Sequence, residues 1–361
     1  MKLRVKVEEV DEQILTRVLD IQFPGKSLKS PIKAINKATS LDGLNEIFHE
    51  VTPKNLEEIK GNSTEERIFN QKIQKGLVSN SINFVLLRYT GEIVPKPDDM
   101  ETLVDLQYVY SDAAIIPSCP GLFKNDDSVG CAFWDTFIEY VGSYLQTVET
   151  LNKKTVIGLI PHQMPRTWIP TLLDYYHDRD ITSFIIDSDR SSLYSNLSWI
   201  QSIQRALRKL NIIDEGFIYD INSERGKFLK NADVVLAKDF VGLGLGVDIL
   251  GNMHLGPRLD ATAWKKIKTG PYRGPRVFDP ETYGYMRIPA LTQPVANTEN
   301  IRRQYGELIK IRSVLKENST VADYLNTKEL IETNQVTERV RDFKKHVIES
   351  RTAQSTLFDA G

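Results

Sequence analysis

Three aspartates end or interrupt short apolar segments of this chain, and carboxylates in such positions can carry chemistry. Asp187 and Asp220 close the runs SFIIDSD and GFIYDIN, and Asp248 lies inside GVDILGNMH. A carboxylate can act as a nucleophile, and a second carboxyl beside it acquires the raised pKa of a general acid. We therefore predict Asp187, Asp220 and Asp248 as catalytic residues, with the first two forming a carboxylate pair. The alternative is structural, with the first two as helix N-caps and the third as a buried hydrogen-bond acceptor.

Polar side chains also follow the other apolar runs. His162 and Gln163 come directly after Pro161, and an imidazole beside an amide offers donors and acceptors that can read a purine edge. The predicted substrate-binding residues are Arg88, Tyr89, Cys119, His162, Gln163, Asn252 and His254. A second interpretation takes Asp187, His162 and His254 as ligands of a metal ion, which would indicate a metal-dependent hydrolase.

The apolar runs that carry these residues predict buried parallel strands. They are rich in Val, Ile, Leu and Phe, lack polar alternation, and most are separated by segments long enough for a helix. A further strand is predicted at SPIKAINKATS, and the runs themselves occupy residues 81–91, 112–121, 155–163, 183–189, 216–222 and 246–254. Repeated strand and helix units of this kind predict an α/β fold of the (β/α)8 barrel type, in which the site lies at the carboxyl ends of the strands.

The remaining segments predict additions to that barrel. Alternation over residues 1–23 indicates a small N-terminal β element, and the polar residues 41–80 indicate helices on the barrel exterior. Residues 298–350 are charged and helical in pattern. We therefore predict a barrel domain with its β element over 1–297 and a C-terminal helical segment and tail over 298–361.

The segment after residue 254 is rich in glycine, proline, tyrosine and basic residues. Basic side chains interleaved with tyrosines suit contacts to phosphates and bases, and a structured loop over the barrel mouth is the equal alternative. The predicted nucleic-acid-binding residues are Lys265, Lys266, Lys268, Arg273, Arg276 and Arg287.

The overall composition limits the class of protein. The net charge of −2 gives no global attraction to nucleic acid, so binding would need a local basic patch. Two cysteines, Cys119 and Cys131, form neither a disulfide framework nor a cysteine-rich zinc site. The charged start carries no signal sequence and no apolar run is long enough to span a bilayer, so we expect a cytoplasmic protein without membrane partners.

Several segments, taken in order, resemble the tRNA-guanine transglycosylase superfamily, whose members exchange guanine for a 7-deazaguanine base in tRNA or DNA. The resemblance is carried by FPGKSLKSPIKAINKAT, YSDAAIIPSCPG, KTVIGLIPHQMPRTWIPTLLDYYHDRDITSFIIDS, LGVDILGNMHLGPR and NTENIRRQYGELIKIRSVLKENSTVADYL. The chain departs from the family where its Asp-Ser-Gly-Gly-Phe-Gln motif would lie, since residues 86–91 read LLRYTG. The base-reading Asp of the family falls near Pro117 and its nucleophile near Gly251.

The resemblance implies a (β/α)8 barrel that inserts a 7-deazaguanine-type base into nucleic acid through a carboxylate nucleophile, without a cofactor. The three cysteines and histidine of the family's zinc motif are missing. No RNA-binding appendix is recognised either, and the lack of this appendix favours DNA over tRNA as acceptor. The alternative is a non-catalytic subunit that binds nucleic acid and partners an active enzyme. Either form could be a homo- or hetero-oligomer.

Overall fold

The computed structural model describes residues 3–123, 131–151, 154–228, 232–256, 265, 274–317 and 319–358. At the N-terminus, three antiparallel strands form the predicted β element: β1 (Arg4–Val10), β2 (Arg17–Phe23) and β3 (Lys26–Lys29). Pro24 and Gly25 make the turn between β2 and β3, and Gly25 adopts a φ of 74° there. That left-handed conformation suits glycine, which has no Cβ to clash with the backbone.

The centre of the molecule is built from parallel strands. They are β4 (Ile32–Lys33), β5 (Leu44–Val51), β6 (Ile82–Tyr89), β7 (Ala114–Ile115), β8 (Val156–Pro161), β9 (Phe184–Asp187) and β10 (Ile218–Ile221), and, after β11 (Val234–Leu236), β12 (Ile249–Leu250). Six of them form one parallel sheet in the order β4-β12-β10-β9-β8-β7, and β5 pairs with β6. Single parallel bridges also join Ile35 to Asn45 and Arg88 to Ser118. The α/β class and the strands predicted from the apolar runs are therefore confirmed.

One prediction for this region is wrong. Residues 44–51 were expected in an exterior helix, but they form β5. This strand pairs with β6 in parallel over eight residue pairs. The segment is polar on average because Asn45, Glu46 and Glu50 interrupt it. It is nevertheless a strand because Leu44, Ile47 and Val51 are buried in the core, and tertiary burial outweighs local propensity.

Helices separate the strands and cover their outer faces. Their bounds are α1 (Pro53–Gly61), α2 (Ser63–Gly76), α3 (Pro97–Tyr108), α4 (Cys131–Leu151), α5 (Ile169–His177), α6 (Leu197–Lys209) and α7 (Lys238–Val241). Helix α6 shows why they pack: Trp199, Ile200, Ile203 and Leu207 recur at helical spacing and are all buried. None of the helices in the described ranges is long and apolar enough to cross a membrane.

A second small sheet lies beside the parallel strands. Strands β13 (Arg276–Asp279) and β14 (Gly284–Arg287) form an antiparallel hairpin, and β14 also pairs with β11. Residues 276–287, predicted to belong to a nucleic-acid-binding segment or to a loop over the barrel mouth, therefore form a β-hairpin. Phe278, Tyr283 and Tyr285 are buried there and pack edge-on, so the tyrosines build a core rather than an exposed stacking surface.

The C-terminal part is helical, as predicted. It comprises α8 (Gln293–Lys316), α9 (Val321–Asn326), α10 (Glu329–Thr333) and α11 (Val336–Phe358). Residue 297, the predicted end of the barrel domain, lies inside α8. The same helix is tied to the strand region because Arg302 donates to the carbonyl of Thr39 and Tyr305 to that of Asp42.

Candidate functional site

Asp187 is the last residue of β9, and its carboxylate is buried and fixed by three donors. The Asn222 amide and the backbone N–H of Asp189 donate to Oδ1 over 2.9 and 3.1 Å. The Ser118 hydroxyl donates to Oδ2. Only 2% of Asp187 is exposed. Residues at or after the carboxyl ends of β7, β9 and β10 therefore orient one carboxylate.

Glu46 on β5 is a second buried carboxylate, and sequence reasoning missed it. Oε2 contacts His254 Nε2 at 3.0 Å and accepts from the Asn252 side chain, while Tyr219 donates to Oε1. Burial raises the pKa of Glu46, but His254, Lys33 and the Tyr219 hydrogen bond act against it and bring the pKa below its usual value. Glu46 is thus an anion held by surrounding donors.

Asn222 connects the two carboxylate groups. It follows β10, donates to Asp187 through its amide nitrogen and accepts the backbone N–H of His254 over 3.0 Å through its amide oxygen. The His254 ring stacks on Phe48, with ring centroids 4.5 Å apart and planes 3° from parallel. Asp187 and the backbone of His254 are therefore positioned by the same side chain.

Arg88 and Gln163, both predicted to bind substrate, meet at a third carboxylate, Asp189. Arg88 Nη2 contacts Asp189 Oδ1 at 3.1 Å, and the Gln163 amide donates to Oδ2 over 2.7 Å. Arg88 is 5% exposed, and its Nε and Nη1 make no hydrogen bond with the described residues. Glu50 lies 3.6 Å from Nε, which is an ion-pair distance rather than a hydrogen bond. Buried guanidinium donors without acceptors are rare in proteins and suit a ligand oxygen.

The predicted pair of Asp187 and Asp220 is not formed. In the register of the parallel strands Asp187 lies beside Ile221, and Asp220 lies beside Ile186. Since successive residues of a strand point to opposite faces, the two aspartates face different sides of the sheet. Asp220 instead accepts from the Ser188 hydroxyl over 2.5 Å. Burial raises the pKa of Asp220 to about 7, and Asp187 is only a minor contributor to that rise.

Replacing Asp220 by asparagine should remove a pH dependence of stability. The folded carboxyl keeps its proton until about pH 7, whereas the ordinary pKa is 3.8. The folded state binds the extra proton in this window, so the free energy of unfolding should fall as pH rises through it. We expect the wild type to lose roughly 3 kcal/mol between pH 5 and 8 from this group, and Asp220→Asn to lose correspondingly less. Urea unfolding at both pH values measures the difference, and equal losses would contradict the assignment.

Asp248 lies away from the Asp187 region. It precedes β12, and its backbone N–H bonds to the carbonyl of Ile218, the first residue of β10. Its carboxylate forms a two-point contact with Arg17, at 2.8 Å on each oxygen. Asp248 therefore lies at the amino end of its strand and forms a structural ion pair with Arg17. This position conflicts with the predicted catalytic role of Asp248.

The other predicted substrate-binding residues divide into two groups. Asn252 and His254 belong to the Glu46 contacts, and His162 contacts Asn196 at 3.3 Å beside the Trp199 ring. Burial lowers the pKa of His162.

Tyr89 and Cys119 form the second group of predicted substrate-binding residues. Both are buried apolar-core residues, with 3% and 1% of their surface exposed. The pKa of the Cys119 thiol is raised well above its usual value by burial and then by Asp187, which disfavours a reactive thiolate. We assign both to packing.

The predicted basic residues are only partly described. Lys266, Lys268 and Arg273 lie outside the described residues, and Lys265 is exposed. Arg276 and Arg287 face one another across the β13–β14 hairpin. The predicted metal ligands Asp187, His162 and His254 do not form a metal site, since no group of three suitable side chains occurs within the described ranges.

Gly251 marks where the resemblance would put a nucleophilic aspartate, and there is no room for a side chain. A Cβ at this position would lie 2.5 Å from the carbonyl oxygen of Asp220 and 2.8 Å from Glu46 Oε1. Lys33, another buried residue that the sequence did not reveal, donates its ammonium group to the carbonyl of Gly251. Burial lowers the pKa of Lys33 to about 8.

We expect Gly251→Asp to destabilise the protein by about 2 kcal/mol or more, because it forces a side chain into a packed space and a charge beside Glu46. Gly256→Asp is the matched control, since no atom of the described residues lies within 4 Å of a Cβ at Gly256. Thermal unfolding of both variants tests this. A stable Gly251→Asp protein would show that the segment can move to admit the family's nucleophile.

No protein-family model matches the chain, and no curated protein sequence matches it significantly.

Proposed function

We propose that the protein is a base-exchange transglycosylase that inserts a 7-deazaguanine-type base into nucleic acid, with Asp187 as nucleophile. The observation that carries the proposal is the buried Asp187 carboxylate, held at a strand end by Ser118, Asn222 and a backbone amide. Gly251 stands where the resemblance would put the nucleophilic aspartate, and the proposal therefore assigns the nucleophile to Asp187 on β9.

A closed (β/α)8 barrel is part of this proposal. The parallel sheet and the β5–β6 pair supply eight strands, and the Ile35–Asn45 and Arg88–Ser118 bridges join the pair to both edge strands of the sheet. In such a barrel the carboxyl ends of all strands surround one mouth. Residues from β5, β6, β9 and the segments after β7, β10 and β12 would then meet around a single substrate.

Asp187 suits attack on C1′ of the sugar. Within the described residues Oδ2 accepts only from Ser118, so a lone pair is left for the reaction. A bond forms between Oδ2 and C1′ while the bond from C1′ to the departing base nitrogen breaks, and the base leaves with the electron pair. A nitrogen of the incoming base then displaces the carboxylate, which restores Asp187.

His254 suits the transfer of the proton in both steps. The departing base takes a proton from the imidazole, and the incoming base returns one. Glu46 fixes the ring through Nε2 at 3.0 Å, and Phe48 supports its face. A carboxylate that contacts an imidazole fixes the orientation of the ring.

Arg88 and Gln163 suit recognition of the base. The buried Nε and Nη1 atoms of Arg88 are donors awaiting an acceptor oxygen. Gln163 is held by Asp189 through its amide nitrogen, which leaves its carbonyl to accept from the base.

The test is incorporation of radiolabelled guanine or a labelled 7-deazaguanine base into tRNA and DNA, run in parallel with purified protein. We expect label in one of the two nucleic acids, and DNA is favoured. If neither is labelled by folded protein that binds nucleic acid, the chain is a non-catalytic binding subunit, and the proposal fails.

A further inference from the structure

Three arginines surround two aromatic rings on the small antiparallel sheet. Arg276 and Arg287 are directly opposed in the β13–β14 hairpin, and their guanidinium carbons lie 5.0 and 4.7 Å from the centre of the Phe228 ring. Arg225 lies 5.6 Å from the centre of the Tyr285 ring. We call this set the arginine cluster: Arg225, Arg276 and Arg287.

The cluster carries positive charge that the described residues do not neutralise. Within that part of the chain no carboxylate forms an ion pair with any of the three guanidinium groups, and the nearby Glu224 pairs with Lys227 at 3.6 Å. The pKa of Arg276 is lowered by burial and then by Arg287 and Arg225. Like charges placed opposite each other across two strands destabilise a sheet. An anion between them would remove that cost.

Backbone hydrogen bonds orient two of the three guanidinium groups. Arg276 Nη1 donates to the carbonyl of Gly226 over 2.7 Å, and Arg287 Nη1 donates to that of Gly274 over 3.3 Å. Both guanidinium groups also lie over the Phe228 ring. Most of the five N–H donors of each arginine remain for phosphate oxygens, which arginine binds with two parallel hydrogen bonds.

The cluster is close to the Asp187 site along the chain. Asn222, which holds Asp187, and Phe228, which both arginines contact, are six residues apart, so their Cα atoms are separated by at most about 22 Å. The charge of Arg225 also acts on Lys33, the side chain that binds the end of β12. The two places are therefore no farther apart than a few nucleotides of an extended strand.

We propose that the arginine cluster is a phosphodiester-binding site that holds the nucleic-acid backbone beside the nucleotide whose base is exchanged. The inference deepens the proposed function, and its test is independent of that function because binding requires no chemistry at Asp187.

The experiment measures binding of fluorescent single-stranded DNA and of tRNA to the full chain at several salt concentrations. We expect Arg276→Gln/Arg287→Gln to weaken binding by tenfold or more. The slope of log affinity against log salt should fall by about 1.4, since each neutralised phosphate contributes about 0.7 in a single strand. Arg276→Lys/Arg287→Lys should keep most of the slope, because it keeps the charge.

Arg179→Gln is the matched control. Arg179 also stacks on an aromatic ring, 3.7 Å from the centre of Tyr175, but it follows α5 at the amino end of β9. We expect its affinity and slope to equal those of the wild type. Equal affinity and slope in the double glutamine variant would overturn the proposal, and so would an equal loss in Arg179→Gln.

The two proposals can fail separately. If the wild type binds but exchanges no base, the transglycosylase proposal fails and the arginine cluster stands. Preference for DNA or tRNA in the same titrations identifies the source of the phosphodiester.

Discussion

Asp187→Asn should reduce base exchange by roughly 10⁴- to 10⁶-fold, the range seen when an enzyme loses its nucleophile. A carboxamide oxygen does not displace a base from C1′, so no covalent intermediate forms. The wild-type protein should form an adduct with its nucleic acid that survives denaturation, and the variant should form none. Initial rates of label incorporation and a denaturing gel measure the two effects.

The control for this result is Asp174→Asn, on the exposed side of α5 directly before β9. It makes the same chemical change outside the site and should retain full activity. Ser118→Ala should give an intermediate loss, because it removes one donor from Oδ2 and leaves the carboxylate in place. If Asp187→Asn still formed the adduct, Asp187 would not be the nucleophile, and the assignment would pass to Asp189 or Glu46.

The sequence predicted the strand ends well because buried parallel strands are nearly continuous apolar runs that stop at a polar residue. Asp187 was expected at the end of a strand and is the last residue of β9. Asn252 and His254 were expected after the last strand, and they follow β12. Ser118 and Asn222 occupy the same kind of position, after IIP and YDI, and this signal alone could have added them to the site.

The direction of side chains was harder to predict than their position along the strand. Asp220 lies one residue before the end of β10, and that single step places it on the opposite face from Asp187. The apolar runs carry no polar alternation because both faces are buried, so the pattern does not say which residues point inward. Register across the pair β9–β10 is needed to decide.

Glu46 was missed because its strand resembles an exposed helix in composition. The segment LNEIFHEV contains two glutamates and a histidine, and only the Asp42–Gly43 pair before it and Pro53 after it mark a short element. The glutamate is tolerated in a core because Tyr219, Asn252 and His254, contributed by β10 and the segment after β12, surround it. Partners that distant in sequence cannot be inferred from local pattern.

Asp248 was predicted to be catalytic because it is a carboxylate inside an apolar run. Its ion pair with Arg17 instead indicates a structural role. Arg17 on β2 reaches the amino ends of β10 and β12, where it binds both oxygens of Asp248 and donates to the carbonyl of Gly216 over 3.1 Å. The backbone N–H of Ile218 adds a further donor to Asp248 over 2.8 Å. The N-terminal β element is thus fastened to the parallel sheet by one buried ion pair.

Asp248→Ala should therefore lower the free energy of unfolding by about 3–5 kcal/mol, the usual cost of leaving one member of a buried pair without its partner. Arg17 is only 6% exposed and would keep only the solvent-exposed Asp214, 3.4 Å from Nη1, as a counter-charge. Urea unfolding followed by circular dichroism measures the loss. In urea concentrations below its unfolding midpoint, the variant should still bind nucleic acid and exchange bases at nearly the wild-type rate. The reason is that the Arg17–Asp248 pair lies at the opposite end of the strands from Asp187.

The double variant Arg17→Met/Asp248→Leu separates a loss of charge pairing from a loss of packing. Replacing both charges by apolar side chains of similar size removes the uncompensated charge, and such replacements are often neutral. We expect it to recover only part of the stability that Asp248→Ala loses. The N–H of Ile218 and the carbonyls of Gly216 and Ile213 lose their partners, and each such group that stays buried costs about 1–3 kcal/mol. If Asp248→Ala instead abolished exchange in a protein of unchanged stability, Asp248 would be catalytic after all, and the two ends of the strands would have to communicate.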